Sequence, residues 1–325
     1  MEKLPEEVLV RIIRYSKPWT WLQLEAVSKK LQKLVLEHSE SVSSVDVFWD
    51  FVAANWDQVP ADLGMIEADT DYIDVDLLIG CLGKHFPHLS HLSLAGCPVY
   101  VTWSDLFSIS RQLPQLHSLD LSQRFHCPKL AFNSLLALPS FGKLKQLTLD
   151  GMPDRWTHCH YHIEVPPVHF LTRLHEISLD QSDILFHLLR TLKTKKNWLP
   201  QLASFRVGIK RGELHLHPED FEVLAWFLER HQGLIKLEMS HLRLLCKNRT
   251  WRLLAHIFSM SNLRHLAMSG CHCLEDGFHR SEIPTSLSIQ TSNLQKVKLE
   301  CTNFLPKNFI DLLVAQCPNV SVGQI

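Results

Sequence analysis

The sequence predicts an α/β fold: a solenoid with a curved parallel sheet and outer helices, preceded by a small three-helix block. Three observations carry this expectation. A Leu-x-x-Leu-x-Leu spacing, with close apolar substitutes, occurs at Leu89/Leu92/Leu94, Leu116/Leu119/Leu121, Leu144/Leu147/Leu149 and Leu174/Ile177/Leu179. It returns at Leu202/Phe205/Val207, Leu234/Leu237/Met239, Leu263/Leu266/Met268 and Leu294/Val297/Leu299, with successive first positions 27 to 32 residues apart. Helical patterns fill the intervals, and several stop at a proline just before the next strand.

Each strand follows from the last two apolar positions of the spacing, which point to one face while their neighbours point to the other. A single repeat cannot bury its own leucines. Stacking strand beside strand makes a shared core, and the helices between strands cover the other side. Val42-Ser43-Ser44-Val45-Asp46-Val47 has the same apolar spacing and is the expected first strand. Residues 50–76, rich in Asp and Glu, are expected as a loop before a helix ending near Phe86, either solvated or binding a partner.

The helices are expected at Leu185/Leu188/Leu189/Leu192, Phe221/Leu224/Ala225/Leu228, Trp251/Leu254/Phe258 and Phe309/Leu312/Leu313/Ala315. Pro87, Pro114, Pro200 and Pro318 mark their ends, because proline cannot continue a helix and biases its predecessor toward extended geometry. Cys97 and Cys271 stand three residues past a strand's last apolar position. This punctuation resembles cysteine-containing leucine-rich repeats over residues 41–325.

The first forty residues are different in kind. Leu4-Pro5-Glu6-Glu7-Val8-Leu9 opens a helix, since proline suits the first turn and acidic residues favour the positive end of the helix dipole. Thr20 and Gln23 suggest a capping box for a second helix, and Ser28 a cap for a third carrying Leu31, Leu34 and Val35. Apolar residues at 8, 9, 10, 12 and 13 spread around about half the first helix, wider than the roughly 100° stripe that one core contact needs. Part of that surface is left for a partner.

Leu4-Pro5-Glu6-Glu7-Val8-Leu9, then Ile12-Ile13-Arg14-Tyr15, then Ala26-Val27-Ser28 through Leu34-Val35 resemble an F-box. The chain departs from that pattern at Ser16, Thr20-Trp21 and Leu31. An F-box over residues 1–40 followed by leucine-rich repeats resembles the F-box/leucine-rich-repeat family. The resemblance implies a non-catalytic subunit of a Skp–cullin–F-box ubiquitin ligase, with a Skp-type adaptor bound at Leu4, Pro5, Val8, Leu9, Ile12, Ile13, Val27 and Leu34. Cullin and RING proteins are reached through the adaptor, and the repeats hold a client protein. A leucine-rich-repeat scaffold whose first helices only cap the solenoid is the alternative.

On the concave side, residues flanking the inward leucines give a surface map. Asp120, Asp150, Glu176 and Asp180 form an acidic group that either meets a basic stretch of the client or is simply solvated; Arg206, Lys236, Lys296 and Lys298 follow, with Arg206 and Lys236 also expected on the client-binding face. Trp103, Trp156 and Trp198 lie outside the strands, as packing groups or as anchors for a partner.

The net charge of −1 suggests neither nucleic acid nor a membrane surface, and a basic run at Arg190, Lys193, Lys195 and Lys196 reads as a solvated helix end. Nine cysteines spread over separate repeats do not read as a disulfide framework, and no apolar run approaches the ~18 residues of a membrane span. The chain is expected in the cytoplasm or nucleus. His158-Cys159-His160-Tyr161-His162 and Cys271-His272-Cys273 lack the paired spacing of a zinc site, so no cofactor is expected. Phosphate loops and hydrolase or metalloprotease signatures are absent, although a cysteine and a distant histidine meeting only in the fold stay open.

Overall fold

The computed structural model describes residues 4–16, 18–47, 50, 75–97, 100–122, 129–130, 140–150, 172–179, 182–194, 199–208, 214–215, 218–244, 247–273, 293–300, 305–317 and 320–322. The chain divides into two compact units, residues 1–148 and 149–325.

The first unit begins with three helices, α1 (Glu6–Tyr15), α2 (Pro18–Val27) and α3 (Lys29–Ser39). The Pro5 carbonyl accepts the amides of Val8 at 3.1 Å and Leu9 at 3.2 Å, so proline opens α1 without losing a needed donor. Ser28 caps α3 as expected, its hydroxyl accepting the Leu31 amide at 3.3 Å. Thr20 is not the cap of α2. That helix starts two residues earlier at Pro18, whose fixed φ suits a first turn, and Thr20 lies inside it.

After the helices come β1 (Ser44–Asp46), α4 (Val75–His85), β2 (His91–Ser93), β3 (Tyr100–Val101), α5 (Trp103–Gln112), β4 (Ser118–Asp120), β5 (Lys129–Leu130) and β6 (Gln146–Thr148). Strands β1, β2, β4 and β6 pair in parallel in that order, with Val45, Leu92, Leu119 and Leu147 in register and all buried. The same apolar position is repeated on each strand, which is why the buried row needs no other instruction. A capping box of Thr102 and Asp105 starts α5, and Leu106, Ile109 and Leu113 form its buried side, ending just before Pro114 as expected. Strands β3 and β5 form a second short parallel pair.

The second unit holds β7 (Glu176–Leu179), α6 (Ser182–Thr194), β8 (Ser204–Gly208), β9 (Leu214–His215), α7 (Pro218–Arg230), β10 (Lys236–Ser240), β11 (Leu242–Leu244), α8 (Lys247–Phe258), β12 (His265–Ser269), β13 (His272–Cys273), β14 (Lys296–Glu300), α9 (Lys307–Gln316) and β15 (Val320–Val322). Strands β7, β8, β10, β12, β14 and β15 run parallel, each beside the next. Ile177, Phe205, Leu237, Leu266 and Val297 form one buried row, and Leu179, Val207, Met239, Met268 and Leu299 a second. A shorter parallel set, β9, β11 and β13, lies beyond the turn that follows the main strands.

That turn needs a left-handed backbone residue. Gly96 (φ 81°), His241 (φ 53°) and Gly270 (φ 60°) supply it, each just before Cys97, Leu242 or Cys271, which are buried. Leucine and cysteine thus serve the same apolar position, and this is why the cysteine need not recur in every repeat. The helices end at a second recurring turn, where the amides of Leu89, Leu116, Leu202 and Leu234 donate back to Phe86, Leu113, Leu199 and His231 at 3.0 to 3.1 Å.

Candidate functional site

Two surfaces bear on function, one in each unit. In the first, α1 has two faces. Leu9 and Ile13 are buried against the chain itself, as is Leu34 of α3. They are therefore not surface for a partner in this chain. Leu4, Val8 and Ile12 recur every four residues on the outward side at 37, 41 and 37 % exposure, and Tyr15, three residues on, is 91 % exposed. Pro5 is exposed as well, and Val27 at the end of α2 is 59 % exposed. Tyr15 belongs to the stripe by spacing, a signal present in the sequence but not used for it.

The helical block is fastened to the first repeat by residues that the sequence does not advertise. The Trp21 indole donates to the Ile13 carbonyl at 2.8 Å, at the end of α1, where the Ser16 hydroxyl also donates at 3.0 Å. Its ring meets His38 edge-on at 5.0 Å and Phe86, just after α4, at 6.2 Å. Glu25 of α2 accepts from Lys84 at 2.7 Å and from Gln32 at 3.1 Å, and lies 3.2 Å from His85 Nε2. Burial opposes ionisation of Glu25, but these hydrogen bonds and charges together hold its carboxyl below the ordinary value. Burial likewise lowers His85, against the pull of Glu25, and its Nδ1 has no partner among the described residues. Leu31 and Trp21, where the chain departs from the F-box pattern, both sit in this core.

In the second unit the inward leucines leave a charged face between them. Asp150 is buried, accepting the Ser178 hydroxyl at 2.7 Å and facing Arg206 at 3.6 Å. Arg206 also lies 3.6 Å from Glu238, and Lys236 pairs with the same carboxylate at 2.8 Å. Lys298 pairs with Glu300 at 2.9 Å. Glu238 is the residue that sequence reasoning passed over: it joins Arg206 to Lys236, a relationship that exists only once β8 and β10 are adjacent. Glu176 is half-buried on β7, and Asp180 falls outside the described residues. Asp120 is in the first unit, on β4, where it accepts from the amide and hydroxyl of Ser122.

Asp150 is thus enclosed and already answered by its neighbours, so it is not offered to a basic client. Residues 156, 158–162, 195, 196 and 198, and all but Asp50, Val75 and Asp76 of the acidic stretch 50–76, lie outside the described residues. Among the described residues no group of three or more His, Cys, Asp or Glu is arranged to hold a metal ion, and no helix is long and apolar enough to cross a membrane. Burial raises the Cys271 thiol to about 12 and the Cys81 thiol to about 11, which keeps both protonated and unreactive at neutral pH.

Against known proteins, residues 1–39 match the F-box-like family model. No curated protein matches the chain. Among solved structures the chain is similar to an internalin (inlF) of Listeria monocytogenes, with 17 % identity over 67 % of this chain and a TM-score of 0.37. The match spans 56 % of that internalin's length. Internalin C2 of the same organism gives 13 % identity, 62 % coverage of this chain and 84 % of its own, and a TM-score of 0.31. TLR13 in its complex with ssRNA13 gives 15 % identity, 83 % coverage of this chain and 38 % of its own, and a TM-score of 0.42.

Proposed function

We propose that this chain, an F-box-like segment joined to leucine-rich repeats, is the substrate-recognition subunit of a Skp–cullin–F-box type ubiquitin ligase. The F-box-like segment docks on a Skp-type adaptor, which brings cullin and RING proteins, and the repeats hold the client. The chain carries no step of ubiquitin transfer. Its mechanism is proximity: fixing the client near a charged conjugating enzyme raises the effective concentration of the reacting groups. The site of action is the cytoplasm or nucleus.

The observation that supports the reading best is the F-box-like match at residues 1–39 together with the outward stripe of Leu4, Val8, Ile12 and Tyr15 on α1. A short helix with one face in the chain's core and a second apolar face in water gains stability by covering that face. Leu9, Ile13, Trp21 and Leu34 hold the stripe in place from beneath.

Co-expression with a Skp-type adaptor followed by size-exclusion chromatography tests this. The native chain is expected to elute as a stoichiometric complex, and a Val8→Asp/Ile12→Asp variant to elute alone while still unfolding cooperatively, because neither side chain belongs to the buried core. A folded native chain that leaves the adaptor behind would refute the ligase reading and leave a leucine-rich-repeat interaction scaffold.

A further inference from the structure

Three rows of side chains run across β10, β12 and β14. Lys236, His265 and Lys296 are in register in the first row, Glu238, Ala267 and Lys298 in the second, and Ser240, Ser269 and Glu300 in the third. Adjacent strands lie about 4.8 Å apart, so the first row is a ladder of three nitrogen-bearing side chains within roughly 10 Å. Ala267 leaves a gap in the second row. Over it lies a depression of about 190 Å³, bordered by Arg206, Glu238, Lys298, Glu300 and the two serines of the third row.

The charges on this face are unequally satisfied. Each carboxylate on β10, β12 and β14 already faces a cation, Glu238 facing Arg206 and Lys236 and Glu300 facing Lys298, and Asp150 faces Arg206 beside them. Lys296 is exposed and, among the described residues, has no carboxylate within ion-pair distance. Lys236 and Lys298 keep 44 and 49 % of their side-chain surface in water despite their pairs. On β10, β12 and β14 themselves three cations, Lys236, Lys296 and Lys298, stand against two carboxylates, Glu238 and Glu300. Large apolar side chains are missing from the three rows, so a partner here is held by charge and hydrogen bonds.

We propose that the face formed by β10, β12 and β14 receives an acidic, Glu- and Asp-rich segment of the client protein. Its carboxylates lie along Lys236, His265 and Lys296, and one side chain enters the depression beside Lys298. The proposal rests on the reading of the repeats as the client-binding surface and names the chemistry of that client. Exposed ion pairs each contribute little and are weakened by salt, so binding depends on several carboxylates at once and falls as ionic strength rises.

The test uses the full chain and three fluorescein-labelled peptides of equal length, alternating Glu/Ser, Lys/Ser and Gln/Ser, read by fluorescence anisotropy at low and physiological salt. The Glu/Ser peptide is expected to bind at least about tenfold more tightly than the other two. A Lys236→Glu/Lys296→Glu variant is expected to lose that preference, while Lys307→Glu on α9 keeps it, both with native melting temperatures. Equal binding of the three peptides, preference for Lys/Ser, no binding, or unchanged binding by the double variant overturns the proposal. Should the double variant fold poorly, Lys296→Gln alone is expected to weaken Glu/Ser binding and not Gln/Ser binding, and an unchanged affinity overturns the proposal equally. Adaptor binding on the same preparation is read separately. A chain that takes the adaptor but not the Glu/Ser peptide loses only this inference, whereas one that takes the peptide but not the adaptor loses the ligase reading and keeps the acidic-client surface.

Discussion

The backbone amide of Leu199 donates to Nε2 of His231 at 2.9 Å, across the boundary between two repeats. An amide can only donate, so Nε2 is bare and Nδ1 carries the proton, which it gives to the Phe227 carbonyl at 2.6 Å. In other repeats the residue at this turn is apolar and its amide bonds back into its own helix: Phe86 to Leu82, Leu113 to Ile109, and Cys317 to Leu313. The Leu199 amide takes its acceptor from the next repeat instead. A histidine replaces the apolar residue because the preceding turn needs its lone pair.

His231→Leu is therefore expected to destabilise the protein although an apolar residue is usual at that turn. It leaves the buried Leu199 amide without its acceptor, at a cost of about 1–3 kcal/mol. Urea or thermal unfolding of the variant measures it, and an unchanged midpoint would show that the amide finds another partner.

Acidification is expected to destabilise the fold before carboxylates titrate. Burial holds His231 and His256 below the ordinary value of 6.5, and His38 and His85 likewise. The unfolded chain then binds more protons than the folded one, so stability is complete above about pH 6.5 and falls as pH drops below it. Melting temperatures between neutral pH and about pH 5 should decline, and His231→Gln should flatten the decline. A midpoint that rises on acidification would contradict the sign.

Two glycines are expected to differ in their tolerance of alanine. A Cβ on Gly208 would fall 2.1 Å from the Ser240 carbonyl oxygen, a backbone atom, whereas one on Gly270 would meet the His241 ring at 2.4 Å. Both positions have positive φ, but a ring can turn aside and a strand in register cannot. Gly270→Ala should cost about 1–2 kcal/mol and Gly208→Ala on the order of 3 kcal/mol or more. Equal effects would show that strain in φ, common to both, outweighs the clash.

Asp150→Ala is expected to cost about 1–3 kcal/mol, since it strands the buried Ser178 hydroxyl and removes one of two carboxylates from Arg206. Ser178→Ala in that background should cost less than in the native chain, because the two groups act as a pair. Strict additivity of the two substitutions would dissolve the pair.

Much of the fold was legible because its signals are local. The spacing around Leu92, Leu119, Leu237 and Leu266 places those residues in buried rows whatever the connecting segments do, and α6, α7, α8 and α9 lie where their apolar patterns put them. Ser28 was readable as a cap for the same reason. Helix α5 was expected only through its end at Pro114; its start, marked by the capping-box spacing of Thr102 and Asp105, was not read. Thr20 misled because proline at position 18 is an equally good start.

By itself, then, the sequence determined the repeat, the parallel strand order it imposes, and the F-box-like character of the first forty residues. The first two follow from periodicity, and the third from a resemblance carried by residues close together in the chain. Tertiary structure decided which of Leu4, Val8, Leu9, Ile12, Ile13 and Leu34 face outward, and that Asp150 is enclosed while Lys236 and Lys298 stay in water. The reason is physical: burial and charge pairing depend on which strand or helix lies alongside, and Asp150, Ser178, Arg206 and Glu238 become neighbours only when repeats some thirty residues apart stack in register.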